Sequence, residues 1–352
     1  MKHFRRFSLK ILCCILIAAM LLPLSACSKT RSSVSWFDLF DTVTTLLGYT
    51  SNEKEFSEQS TLLKQDLMEY HKLYDIYHSY PDINNLKTIN DNAGIAPVKV
   101  DQKIIDLILL GKELYTLTNG QINIAIGSVL SLWHDARETA LQDPSAAVLP
   151  DQTALEEAAK HIDISQVIID EENSTVFLQD PKMSLDVGSL GKGYATEMVI
   201  QNAKQRGLTD ALLSVGGNLR AIGKKPDGSW TGGIQNPWSD QQQGSLYTIQ
   251  LDDISLVTSG DYQRFFVVDG KQYHHIIDPD TLAPANYANS VSILCKHSGI
   301  ADGLSTALFN MPVEEGMALI ESLPDTEALW LLPDQTVQMS SGFLQWCKST
   351  NE

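Results

Sequence analysis

The segment Thr258-Ser259-Gly260-Asp261-Tyr262-Gln263-Arg264, followed by Tyr273-His274-His275-Ile276-Ile277-Asp278-Pro279, concentrates hydroxyls, a Gly turn, an Arg, two His and an Asp in under thirty residues. Between its halves, Arg264 to Val268 and Gln272 to Ile277 have strand composition, and Asp269-Gly270 is a strong hairpin signal. Tyr247 to Leu251 and Ile254 to Thr258 precede it as further strands. Alternation along the second strand aims His274 and His275 at opposite faces, so one of the two can serve a site on a given side.

Working outward, Glu53 to Leu73 carries Phe56, Leu62, Leu63, Leu67, Tyr70 and Leu73 at helical spacing. Asp101 to Leu117 does the same behind an Asp N-cap, and a third helix starts near Asp151. Ile164 to Ile169 and Thr175 to Leu178 form a hairpin pattern. Helices and strands mix without a βαβ rhythm, so the fold class is α+β, with largely antiparallel sheets.

The N-terminus carries Lys2, Arg5, Arg6 and Lys10, then an apolar run from Ile11 to Leu22, too short for a comfortable membrane span. Leu24-Ser25-Ala26-Cys27 resembles a lipoprotein cleavage site. The expected organisation is a signal peptide over 1–26, a tether over 27–35 with Cys27 lipidated, and a folded body over 36–352. The body would sit at the extracytoplasmic face of the bacterial cell membrane, held by acyl chains that each add about 0.8 kcal/mol of anchoring per buried CH₂. With Cys13 and Cys14 in the leader, Cys295 and Cys347 alone remain in the body, as one bridge or two free thiols.

Net charge is −17, and the leader's four cations leave the body more negative still, so nucleic acid is excluded as a partner. A phosphorylated ligand would be repelled unless cations and N–H groups are focused locally. Ser184-Leu185-Asp186-Val187-Gly188-Ser189-Leu190-Gly191-Lys192-Gly193-Tyr194-Ala195 reads as a strand ending in a Gly-rich loop that opens a helix running to about Arg206. Such a start attracts phosphate and Lys192 adds a charge, although the spacing is neither a P-loop nor a Rossmann fingerprint, and a tight-packing glycine turn explains it equally. Ala301 to Ala307 lies on a helix that puts Asp302 and Thr306 four apart on one face, able to share a hard cation or to be an ordinary helical pair.

Together these segments resemble the FAD:protein FMN transferases, the ApbE-type flavin transferases. Phe40-Asp41-Thr42, Tyr80 to Asn90, Gly120-Gln121-Ile122-Asn123 leading to Trp133, Asp186 to Ala195, Gly216-Gly217-Asn218, Thr258 to Arg264, His275 to Pro284 and Ala301 to Ala307 occur in family order. The resemblance implies an ApbE-like fold with FAD in a cleft. The FMN moiety would pass through phosphate to a Thr or Ser hydroxyl of an exported acceptor flavoprotein, releasing AMP. It implies Mg²⁺ on Asp302, Thr306 and the Gly191 carbonyl, with Lys192 at the diphosphate and His275 as the base. Asp186 would hold the loop or touch the adenosine half, and Tyr80 would pack on the isoalloxazine ring. Asp41, Ile122, Asn123, Ile124, Thr258, Ser259, Gly260, Arg264 and Ile276 would complete the cofactor pocket. The chain departs from the family at Phe40-Asp41 for Met-Gly, Ile122-Asn123 for Phe-Asp and Leu282 for Gly. The same residues would serve a metal-dependent FAD pyrophosphatase, and a non-catalytic flavin-binding lipoprotein is the third reading.

Overall fold

The computed structural model describes residues 29–238 and 244–348. The expected signal peptide and lipidated Cys27 therefore lie outside the described residues, within which no helix is long and apolar enough to cross a membrane.

The labelled strands are β1 (Thr30–Leu39), β2 (Thr42–Thr50), β3 (Ala211–Val215), β4 (Asn218–Ile222), β5 (Ser255–Gly260), β6 (Phe265–Val268), β7 (Lys271–His274), β8 (Ser290–Cys295), β9 (Glu327–Leu331) and β10 (Val337–Met339). Eight of them make an antiparallel sheet in the order β1-β2-β3-β4-β5-β8-β9-β10. β6 and β7 form a separate hairpin. β1 shows that residues 30–35, expected as part of a tether, are strand paired with β2.

Five helices position the site: α1 (Glu53–Tyr74), α2 (Gln102–Leu117), α3 (Gly127–Gln142), α4 (Gly191–Gln205) and α5 (Ser298–Phe309). Asn52 caps α1 by accepting from Glu55 N–H, and Asp101 caps α2 by accepting from Lys103 N–H, each satisfying a donor that the helix itself leaves free. The apolar stripe of α1 is buried at Phe56, Leu63, Leu67, Tyr70 and Leu73, whereas Leu62 faces outward. α5 is the most buried of these helices, because its sequence offers apolar or small residues all round.

The main apolar core joins the helices to β2, β3, β5 and β8, while a second, containing Leu212, Trp230, Ile249, Leu256 and Phe343, covers the opposite side. A third joins Trp133 of α3 to Phe266 and Leu282. The hairpin expected from Ile164 begins instead at Val167, since Ile164–Gln166 is a 3₁₀ turn capped by Asp163. Cys295 and Cys347 are free thiols, one buried and one partly so.

Candidate active site in the cleft between α1, α3, α4, α5 and the β6–β7 hairpin

One wall is built where the starts of two helices meet. α4 opens at Gly191 without a side-chain cap, and its Gly193 N–H donates to Oδ2 of Asp302 at 2.8 Å. A Cβ on Gly193 would lie 2.5 Å from that of Asp302, so glycine is what permits this approach. Thr306 follows Asp302 by one turn of α5. Burial pushes the Asp302 carboxyl up, opposed first by the charge of Lys192. Lys192 itself reaches the Gly188 carbonyl at 3.2 Å.

Behind this wall α5 is pinned twice. His297 Nδ1 accepts from Gly299 and Ile300 N–H. Glu197 of α4 accepts from Ser298 N–H and from Arg220 Nε of β4, both at 2.9 Å, and the Glu197–Arg220 pair is buried. Asp302 and Thr306 are thereby fixed relative to Gly191 and Lys192.

The opposite wall carries the histidines. β7 ends at His274, so His275 lies just beyond the strand, where its N–H still reaches the Arg264 carbonyl at 3.1 Å. Its Nδ1 sits 3.2 Å from the same carbonyl. A carbonyl only accepts, so Nδ1 carries the proton and Nε2 keeps a free lone pair. The ring is exposed to the cleft, yet the protein crowded around it disfavours the charged form, and with the charges of Arg264 and Lys192 this holds the imidazole below its usual pKa, hence neutral. His274 is otherwise engaged: Nε2–H donates to Ala285 O at 2.7 Å, Nδ1 accepts from Ile276 N–H, and the ring meets Phe309 edge-on.

Between the walls lies a cleft of about 730 Å³. It is lined by His275, Gly191, Asp302, Thr306, Lys192, Asp41, Tyr80, Ile122, Asn123, Asp186, Thr258, Ser259, Gly260, Arg264 and Ile276, all expected from sequence. Ile124 is not among the lining residues: its side chain is fully buried and packs in the core against Gly111 of α2. Several lining residues have their polar groups already committed. Thr258 pairs with Ser292 and Ser259 with Ser305, each at 2.7 Å, and the Asn123 amide bonds Ile162 O and Ala125 N–H. The half-buried Asp186 accepts from Gly188 N–H and holds the Gly-rich loop, with burial raising its pKa.

The sequence reading missed Tyr77, His134 and Arg137, which also line the cleft. For the last two a signal was present on α3, where His134 and Arg137 are polar residues three apart beside the buried Trp133.

The expected Mg²⁺ fits the donor set. Asp302 is a buried carboxylate that accepts one backbone N–H, and Thr306 and Gly191 line the same cleft. Mg²⁺ commonly takes one or two carboxylates and completes its shell from water and substrate phosphate. Among the described residues no group of three or more His, Cys, Asp or Glu could hold a metal, so a cage made by acidic side chains alone is not the design.

The sequence model of the ApbE family matches residues 40–330. The chain belongs to the ApbE family. A Treponema pallidum protein named FAD:protein FMN transferase is 34% identical over 302 residues, covering 82% of this chain and 79% of that protein. One of the same name from Klebsiella pneumoniae is 31% identical over 278 residues, covering 77% and 84%. The crystal structure of the ApbE protein from Thermotoga maritima matches with a TM-score of 0.79 at 27% identity, over 91% of this chain and all of that one. The α+β architecture is the ApbE fold. The backbone is left-handed at Phe40 and Asp41 (φ +52° and +50°), the two residues between β1 and β2, and at Leu282 (φ +59°).

Proposed function

We propose that this chain transfers the FMN moiety of FAD, through phosphate, to a Thr or Ser hydroxyl of an exported acceptor flavoprotein and releases AMP. The observation that carries the proposal is one cleft of dinucleotide size lined by a base with a free lone pair, His275, and by the Asp302, Thr306, Gly191 and Lys192 set.

In this reading the acceptor hydroxyl attacks the phosphorus that bears FMN. An O–P bond forms, the P–O bond to AMP breaks, and the hydroxyl proton goes to Nε2 of His275. The Nδ1–H bond to Arg264 O fixes the ring's tautomer and orientation throughout. Lys192 and Arg264 offset the diphosphate charge in a strongly acidic protein. Asp302, Thr306 and the Gly191 carbonyl would hold Mg²⁺, which supplies charge neutralisation at phosphoryl oxygens. The body would be held at the extracytoplasmic face of the membrane by a lipid on Cys27, a reading supported by the basic head, the short apolar run and the Leu24-Ser25-Ala26-Cys27 site.

The test is incubation of the body with FAD, Mg²⁺ and an exported flavoprotein acceptor domain, following covalent flavin and AMP. Covalent flavin with AMP is expected. AMP without covalent flavin would make the protein a pyrophosphatase, and neither product would leave a flavin-binding lipoprotein. For the anchor, Cys27→Ser should move the protein from the membrane to the soluble fraction.

A further inference from the structure

Tyr77 is an exposed tyrosine ring of the cleft, 52% accessible, in the loop that follows α1. The loop is not slack. Asp75 Oδ1 accepts from Tyr77 and His78 N–H at 2.7 and 3.0 Å, while its Oδ2 accepts from the Tyr80 hydroxyl at 2.7 Å and pairs with His78 Nδ1 at 3.0 Å. The Tyr77 ring lies against His134 of α3, with centroids 5.1 Å apart and planes at 30°. Tyr80 is less free: its hydroxyl is taken by Asp75, and Lys72 Nζ stands 5.7 Å over its ring. A side pocket of about 280 Å³, lined by Asn90, Ser131, Ser184 and Asp135, adjoins the cleft at Tyr77 and His134. An aromatic ring backed on one side, pinned through its backbone and left open to a cavity is arranged as a stacking surface.

Resting on the transferase reading, we infer that Tyr77, backed by His134, binds one planar heteroaromatic ring of the dinucleotide substrate, in addition to the contact at Tyr80. Flavin and adenine share that chemistry, and the experiment separates them. FAD, FMN and AMP are titrated calorimetrically into the wild-type body and the variants Tyr77→Ala and Tyr77→Phe. Tyr77→Ala is expected to weaken FAD about tenfold, the scale of one base–aromatic stack, and Tyr77→Phe to retain wild-type affinity. A parallel loss for FMN assigns the flavin ring, and a parallel loss for AMP assigns adenine. In turnover, KM for FAD should rise in Tyr77→Ala while kcat at saturating FAD stays near wild type. Wild-type FAD affinity in Tyr77→Ala overturns the ring assignment alone, whereas wild-type protein that does not bind FAD overturns the transferase reading with it.

Discussion

Gly193 of α4 and Asp302 of α5 meet so closely that the backbone N–H of one caps a carboxylate oxygen of the other at 2.8 Å. A methyl group at position 193 would press on both Asp302 and the start of α5. Gly193→Ala should cost about 1–3 kcal/mol in a urea melt, the usual penalty for overpacking, and should lower transfer by displacing Asp302. A variant as stable as wild type would mean that the helices separate freely.

Asp302 is a buried carboxylate without a compensating cation at contact distance, which opposes folding rather than assisting it. Asp302→Asn should therefore melt, without Mg²⁺, at or above the wild-type temperature, yet lose transfer by about a hundredfold or more. Loss of stability together with activity would point to a structural role.

His275 is neutral because its pKa lies below the ordinary histidine value. Protonation removes the base, so kcat/KM should fall only on the acid side, and the fall should begin well below the unperturbed value of about 6.5. A rate–pH profile with its acid limb centred near neutrality would contradict this. His275→Ala should reduce transfer by about 10²–10⁴-fold with little change in melting, since the ring is open to the cleft.

Leu282 is held at φ +59° while its side chain is buried and its carbonyl accepts from Trp133 Nε1 at 2.9 Å. Glycine would relieve roughly 1–2 kcal/mol of left-handed strain but forfeit about 1.5–3 kcal/mol of leucine burial. Leu282→Gly should thus be mildly destabilising, by about 1 kcal/mol on balance, as read from denaturant midpoints.

The buried Glu197–Arg220 pair also ties Ser298 N–H to α4. Glu197→Ala would leave the buried guanidinium with only the exposed Asp253 as carboxylate partner, at 3.2 Å, and should cost up to about 3–5 kcal/mol, and replacing both residues with Met should cost less. Equal losses in the single and double variants would refute the pairing argument.

Local signals made much of this legible. Asp101 and Asp151 marked their helix starts, and the spacing of Asp302 and Thr306 survived folding intact. What was hidden depended on contacts distant in sequence. Ile124 looks like its neighbours Ile122 and Asn123 until Gly111 of α2 is brought against it. Tyr77 becomes a cleft residue through His134, 57 positions away by numbering, and no local pattern encodes that meeting. The fate of Leu282 was open for a related reason: a left-handed backbone is imposed by the Asp278 turn and the bond from Trp133, neither of which propensity reports.

The first strand begins at Thr30, three residues beyond the proposed lipid on Cys27. Fully extended, three residues reach at most about 11 Å, a very short leash. An enzyme so held would sample a thin layer against the bilayer rather than the open periphery, so its encounters would be two-dimensional. Acceptors embedded in the same membrane would meet it at high effective concentration, and lengthening the segment before Thr30 should widen the range of soluble acceptors it can modify.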